Sequence, residues 1–237
     1  MILPTIRASV TRDDALHLVE LIGRDDPELR GLARDRLERD GVDALLDDPR
    51  VRNAILTDPQ VRVAPPIVFF VLVRQALLEG GVDDRGIADF VASLVVGFGR
   101  ARAAWRPSAD DDREYVYLVD LMAGLRTADA RRAFLLRTHL GNYSLWLAGL
   151  FPGYVDIRRR TRGAPSMDYF DQMGAAGYVA AADSREAERW GMRELLDGVG
   201  RDFVRVREAL NRVSDRVLWP ESGDPIDRLL REVQRGD

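Results

Sequence analysis

The chain has no cysteine and no lysine. The first absence excludes disulfides, thiolate nucleophiles and cysteine-ligated zinc or iron–sulfur centres. The second excludes a Schiff-base lysine and the lysine of a phosphate-binding loop. All 35 basic residues are arginine, which GC-rich coding explains without a functional demand. Histidine is scarce, with His17 and His139 alone, and no H-E-x-x-H zinc pattern occurs. Long apolar runs are missing as well. The run IVFFVLV at 67–73 falls far short of the roughly 20 residues a membrane span needs. The N-terminal MILPTIRASVTRDD lacks the basic and apolar regions of a secretory signal. These features predict a soluble cytoplasmic protein. An excess of one charge is also lacking: 35 basic against 39 acidic residues leaves a net charge of −4. That balance argues against a nucleic-acid binder and against a disordered acidic tail.

What is present is helical. The 237 residues are 46% hydrophobic, enough for a real core. Alternating strand patterns with Asn-Gly or Asp-Gly turns are almost absent. Helix starts recur instead. Thr11 with Asp14 reads as a capping box. Asp26-Pro27, Asp48-Pro49, Asp58-Pro59 and Asp224-Pro225 each place an acceptor before a proline at the first helical position. Thr127, Ser166 and Ser184 are further caps, and Ser108 with Asp111 is a possible second box. The reading is an all-α fold: a single multi-helix bundle of roughly ten helices, several of them short. Central apolar helices fall near 66–80 and 85–103. One domain over 1–237 is expected, with an internal boundary candidate at 106–113. The C-terminal region predicts helical segments at 184–199 and 201–218, then a short amphipathic end. In PELRGLARDRLERDG the residues Leu29, Leu32, Ala33 and Leu37 share one helical side, opposite a solvated charged face.

The stretch HLGNYSLWLAGLFPGYVDIRRRTRG at 139–163 carries the most chemistry. On a helix, Gly141, Ser144 and Ala148 share one face almost without side chains. Gly174, Gly177 and Ala181 repeat that spacing. Glycine inside a helix costs about 1 kcal/mol relative to alanine, so close helix packing is the first reading of both stripes. Whether they meet each other stays open. Aromatics crowd the same region, and Asn142, Tyr143, Trp146, Tyr169 and Tyr178 could line a small polar pocket. Arg158, Arg159, Arg160 and Arg162 form the one notable basic cluster. They suit an anionic small molecule, or pairing with nearby aspartates. His139 is the weak catalytic candidate. No nucleophile motif lies beside it, and no carboxylate lies three or four residues away to orient it. His17 reads as surface or boundary. DDDRE at 110–114 is superficially similar to the acidic magnesium motifs of all-helical prenyl-chain enzymes. Those need a second facing cluster, and 82–84 and 117–120 are poor seconds, so a helix start explains the acids better. No metal site and no cofactor is expected.

The blocks DDPRVRNAILTDPQVRVAPPIVFFVLVRQALLEGG, THLGNYSLWLAGLFP and DYFDQMGAAGY resemble those of uncharacterised all-helical bacterial proteins, from about residue 40 to 180. The resemblance implies a helical fold and a bacterial cytoplasmic setting, with no assigned activity or site residue. The expected function is a non-enzymatic helical interaction or regulatory protein that meets a protein partner or itself. The alternatives are an anion-binding module built on Arg158–Arg162 and nearby aromatics, and an enzyme using His139.

Overall fold

The computed structural model describes residues 1–24, 26–58, 60–99, 106–107 and 118–215. The DDDRE motif, the Ser108/Asp111 box, Asp224-Pro225 and the final amphipathic segment lie outside them. Among the described residues there are fourteen helices and no strand. The chain forms two compact units, Met1–Ala104 and Trp105–Asp237.

The first unit holds α1 (Ile6–Ser9), α2 (Arg12–Ile22), α3 (Pro27–Asp40), α4 (Val42–Leu46), α5 (Pro49–Thr57), α6 (Pro65–Glu79) and α7 (Arg85–Phe98). The capping box closes at α2: Asp14 N–H donates to Thr11 Oγ1 at 3.1 Å, and Thr11 N–H to Asp14 Oδ2 at 2.9 Å. Asp26 and Asp48 cap α3 and α5 ahead of their prolines. Asp58-Pro59 does not open a helix. Asp58 instead ends α5 in an extended conformation and accepts from Gln60 N–H at 2.8 Å. Residues before proline avoid helical geometry. The next proline, Pro65, opens α6, so too little chain is left between them for another helix.

The helices α6 and α7 form the centre of this unit. Phe70, Val71, Leu77, Phe90, Val91 and Leu94 are fully buried, each contributing about 1.5–3 kcal/mol by leaving water. Their near-uniform apolarity is what a helix needs when neighbours surround it. One charged cluster ties α6 to the α4–α5 corner. The buried Arg74 donates from Nε to Asp47 Oδ1 at 2.9 Å and also meets Asp83. Arg85 meets the other Asp47 oxygen at 2.8 Å. Gln75 donates to the Asp47 carbonyl at 2.8 Å.

The second unit holds α8 (Leu118–Leu125), α9 (Ala130–Leu150), α10 (Pro152–Arg162), α11 (Met167–Ala182), α12 (Arg185–Arg189), α13 (Arg193–Arg201) and α14 (Phe203–Val213). The cap of α9 is Asp129 rather than Thr127: Arg132 N–H donates to its carboxylate at 2.8 Å. The expected helix at 184–199 is two helices. Gly191 adopts φ 62°, and Met192 N–H reaches back to the Ala187 carbonyl at 2.8 Å. That is a left-handed glycine stop followed by a restart. Such stops, invisible to apolar periodicity, raise the count above ten.

The end of α9 is closed from a distance. The fourth residue after Ala148 is Pro152, which has no N–H to continue the ladder. Asn211 Nδ2 on α14 donates instead, to the carbonyls of Ala148 at 2.9 Å and Gly149 at 2.7 Å. Ser214 Oγ donates to Leu150 at 2.7 Å. Asn211 is held in turn by Arg207 Nη1 at 2.8 Å, and Arg207 Nε donates to Asp171 on α11 at 2.7 Å. The carbonyls that a helix end normally leaves open are thus satisfied by another helix.

Candidate functional site

The two small-residue stripes meet. A Cβ at Gly177 on α11 would stand 2.9 Å from the Arg137 carbonyl oxygen and 3.1 Å from the Gly141 nitrogen on α9. One at Gly174 would stand 2.9 Å from Ser144 Cβ and would overlap the Phe203 ring. One at Gly141 would press on the Tyr178 ring at 2.7 Å. The glycines therefore let two backbones and two aromatic rings come together where no larger residue fits.

This packing divides the residues proposed for a polar pocket. Tyr178 is 0% exposed, and its hydroxyl donates to Asn142 Oδ1 at 2.8 Å. Burial pushes the Tyr178 phenol well above its ordinary range, because it penalises the charged phenolate. Both side chains are spent inside the seam and present no surface to a ligand. His139 is also buried, at 2% exposure, with its ring centroid 6.5 Å from that of Tyr143. Tyr143, Trp146 and Phe151 continue the same aromatic stripe, with Trp146 and Phe151 edge to face at 5.0 Å. This is core packing of rings in their preferred tilted arrangements.

The arginines lie elsewhere, on α10. Arg158 lies over the Tyr154 ring at 5.5 Å and donates to its hydroxyl at 2.9 Å. Arg159 and Arg160 pair with Asp156 on their own helix, at 3.3 Å and 2.7 Å. Arg159, Arg160 and Arg162 are exposed. Tyr169 is half-buried, edge-on to Phe170, with its hydroxyl against the Met122 sulfur. The structure thus brings Asn142 and Tyr178 together, brings Arg159 and Arg160 together on Asp156, and does not join the two sets.

An open groove lies in the first unit, between α2, α3 and α5. Its volume is about 340 Å³. Leu21, Ile22, Leu29 and Ala54 give it an apolar floor. Arg24, Asp26, Arg50 and Asp58 stand around it, with Arg24 and Asp58 in an ion pair. The helices beside it bury little. Ala33 is the only buried residue of α3 and Val51 the only one of α5. Leu32 is 57% exposed and Leu56 is 41% exposed. Each stands one turn beyond a groove residue, Leu29 and Asn53, on the same side of its helix. The sequence places Leu29, Leu32, Ala33 and Leu37 on one side, and burying that whole side is the natural expectation. The structure buries only Ala33 of the four. The signal available in the sequence was the low apolar content of α3, which is too sparse to cover a full stripe.

Among the described residues no group of three His, Asp or Glu side chains is placed to hold a metal ion. No described helix is long and apolar enough to cross a membrane. No known protein family, curated protein or solved structure matches this chain.

Proposed function

We propose that this is a non-enzymatic helical interaction protein that associates with a second copy of itself through the α2–α3–α5 groove. The observation that carries this reading is the groove: an apolar floor, two exposed leucines continuing it, and a rim with two arginines and two aspartates. A two-fold contact uses the same patch on both copies, so the patch must be complementary to itself. A rim with both signs meets that condition, because the arginines of one copy can face the aspartates of the other. A rim of one sign would repel its own copy. Contiguous apolar surface framed by polar groups is the usual mark of a contact surface. Four polar side chains of the second unit support the non-enzymatic half of the reading: the buried Asn142, Tyr178 and Ser214 and the partly buried Asn211 are engaged in joining helices. A bacterial cytoplasm is the setting we propose, on the resemblance noted above.

Sedimentation equilibrium on the full chain tests the reading. A concentration-dependent dimer is expected, and the double variant Leu32→Glu/Leu56→Glu is expected to be monomeric with unchanged far-UV circular dichroism. A monomer at every concentration, or a dimer indifferent to both substitutions, overturns it.

A further inference from the structure

We propose that residues 1–10 form a strap that opens as a local unit, with the Asp89 carboxylate as its latch. The helix α1 spans only Ile6–Ser9. A helix of one turn does not hold itself together, because nucleation fixes several residues for a single bond. Its preceding residue, Thr5, makes no side-chain cap. The cap comes from α7 instead. Asp89 accepts from Ile6 N–H at 2.8 Å and from Arg7 N–H at 3.4 Å, and Ser93 Oγ accepts from Thr5 N–H at 3.4 Å. Asp89 is 5% exposed, so the strap closes over its carboxylate.

The other described attachments are made by side chains. Ile6 is the only buried side chain of α1. Ile2 packs on Gly97, where a Cβ would stand 2.6 Å from its Cδ1. Arg7 forms a two-pronged pair with Asp43 on α4, both side chains partly in solvent. The backbone bonds from Ser9 to Thr5 and from Val10 to Arg7 close within the strap itself. Lifting it therefore breaks side-chain contacts and leaves the helices of the unit intact. A segment with little buried apolar surface, and tied to its described neighbours through side chains rather than by backbone-to-backbone bonds, is the kind that opens on its own. Opening bares the faces of α6 and α7 that α1 covers and frees Asp89 to water.

Native-state hydrogen exchange on the full chain is the test. The Ile6 and Arg7 amides are the probes, and the Val71 and Phe90 amides in α6 and α7 are the references. In the wild type, Ile6 and Arg7 are expected to exchange faster than the references. Their rates should change little with low denaturant, because little surface is exposed. Asp89→Ala should speed Ile6 and Arg7 by about tenfold or more, as expected when the acceptor of both amides is removed, and leave Val71 and Phe90 unchanged. The rates should not depend on protein concentration, which separates this opening from self-association. If Asp89→Ala proves too unstable to study, the wild-type denaturant dependence decides alone. Equal protection and equal denaturant dependence for all four amides overturns the proposal, as does equal acceleration of all four in the variant.

Discussion

Replacing Gly177 by alanine and Gly31 by alanine is the same chemical change in the interior of two helices, and the structure assigns the two opposite signs. Alanine gains about 1 kcal/mol over glycine in a helix interior. At Gly31, on α3, nothing lies within 4 Å of the new methyl, so that gain stands. At Gly177 the methyl would meet the Arg137 carbonyl oxygen at 2.9 Å, the Gly141 nitrogen at 3.1 Å and Leu140 Cβ at 3.3 Å. Two of these are backbone atoms of α9, which move only if the whole helix moves. Overpacking costs about 1–3 kcal/mol, and a contact with backbone belongs at the upper end. Subtracting the helix gain leaves Gly177→Ala destabilised by about 2 kcal/mol, with Gly31→Ala stabilised by about 1 kcal/mol. The probes separate cleanly. All four tryptophans lie in residues 105–237, so tryptophan fluorescence during guanidinium unfolding reports the second unit. Hydrogen exchange of the α3 amides reports the neighbourhood of Gly31. A fluorescence midpoint that rises in Gly177→Ala, or stays where it is, refutes the close approach of α9 and α11.

The distant closure of α9 makes a second prediction. Asn211→Ala leaves the Ala148 and Gly149 carbonyls without their donor, and the second unit should lose about 1–3 kcal/mol in the same fluorescence titration; a loss no larger than that of an exposed control refutes the capping role. Asp47 makes a third, in pH. Burial alone would raise its pKa, but the Arg74 and Arg85 guanidiniums outweigh burial and hold it below the usual carboxylate range. A folded pKa below the unfolded one gives stability that is present above about pH 4 and lost as the pH falls through the folded value. Asp47→Asn should therefore lower stability at neutral pH and flatten the acid limb seen by exchange of the α6 amides, and an acid limb as steep as the wild type's counts against it. Asp89 has the opposite sign, because burial raises it. Its contribution is full below the ordinary carboxylate value and is lost as the pH rises through its raised value, so it does not produce the acid loss.

What could be read from the sequence was what depends on near neighbours. The capping box at Thr11, the aspartate–proline starts at 26 and 48, and the all-round apolarity of α6 and α7 are local signals, and the structure realises them. The glycine stripes were legible for a related reason. A repeated cost of about 1 kcal/mol per glycine points to a compensating contact, even though it does not say which helix supplies it. Asn211 shows where this reading stops. It serves carbonyls 62 and 63 residues away, and nothing within a helical turn of it marks the role. Asp89 is similar, 83 residues from the amide it caps. That the proposed ligand-binding residues do not all come together was hidden for a different reason. Neighbours in sequence on a helix point in different directions, so Asn142 and Tyr178 face one another inside the seam while Arg159 and Arg160 face solvent from the next helix.

The two units use their polar residues in different ways. In the second unit an aspartate, an arginine and an asparagine form one connected path from α11 through α14 to the end of α9, and Ser214 closes the neighbouring Leu150 carbonyl. Each member satisfies a group in a partly or fully buried position. Losing one leaves another exposed to the full cost of an unmade hydrogen bond. Such a network makes that part of the unit rigid and leaves it little free to bind. In the first unit the corresponding economy is incomplete. Two leucines stand in solvent, an apolar floor is open, and a one-turn helix depends on a carboxylate from α7. Exposed apolar area lowers the stability of the isolated chain, and covering it is favourable for any surface of matching shape. Covering the groove would therefore gain free energy for the first unit.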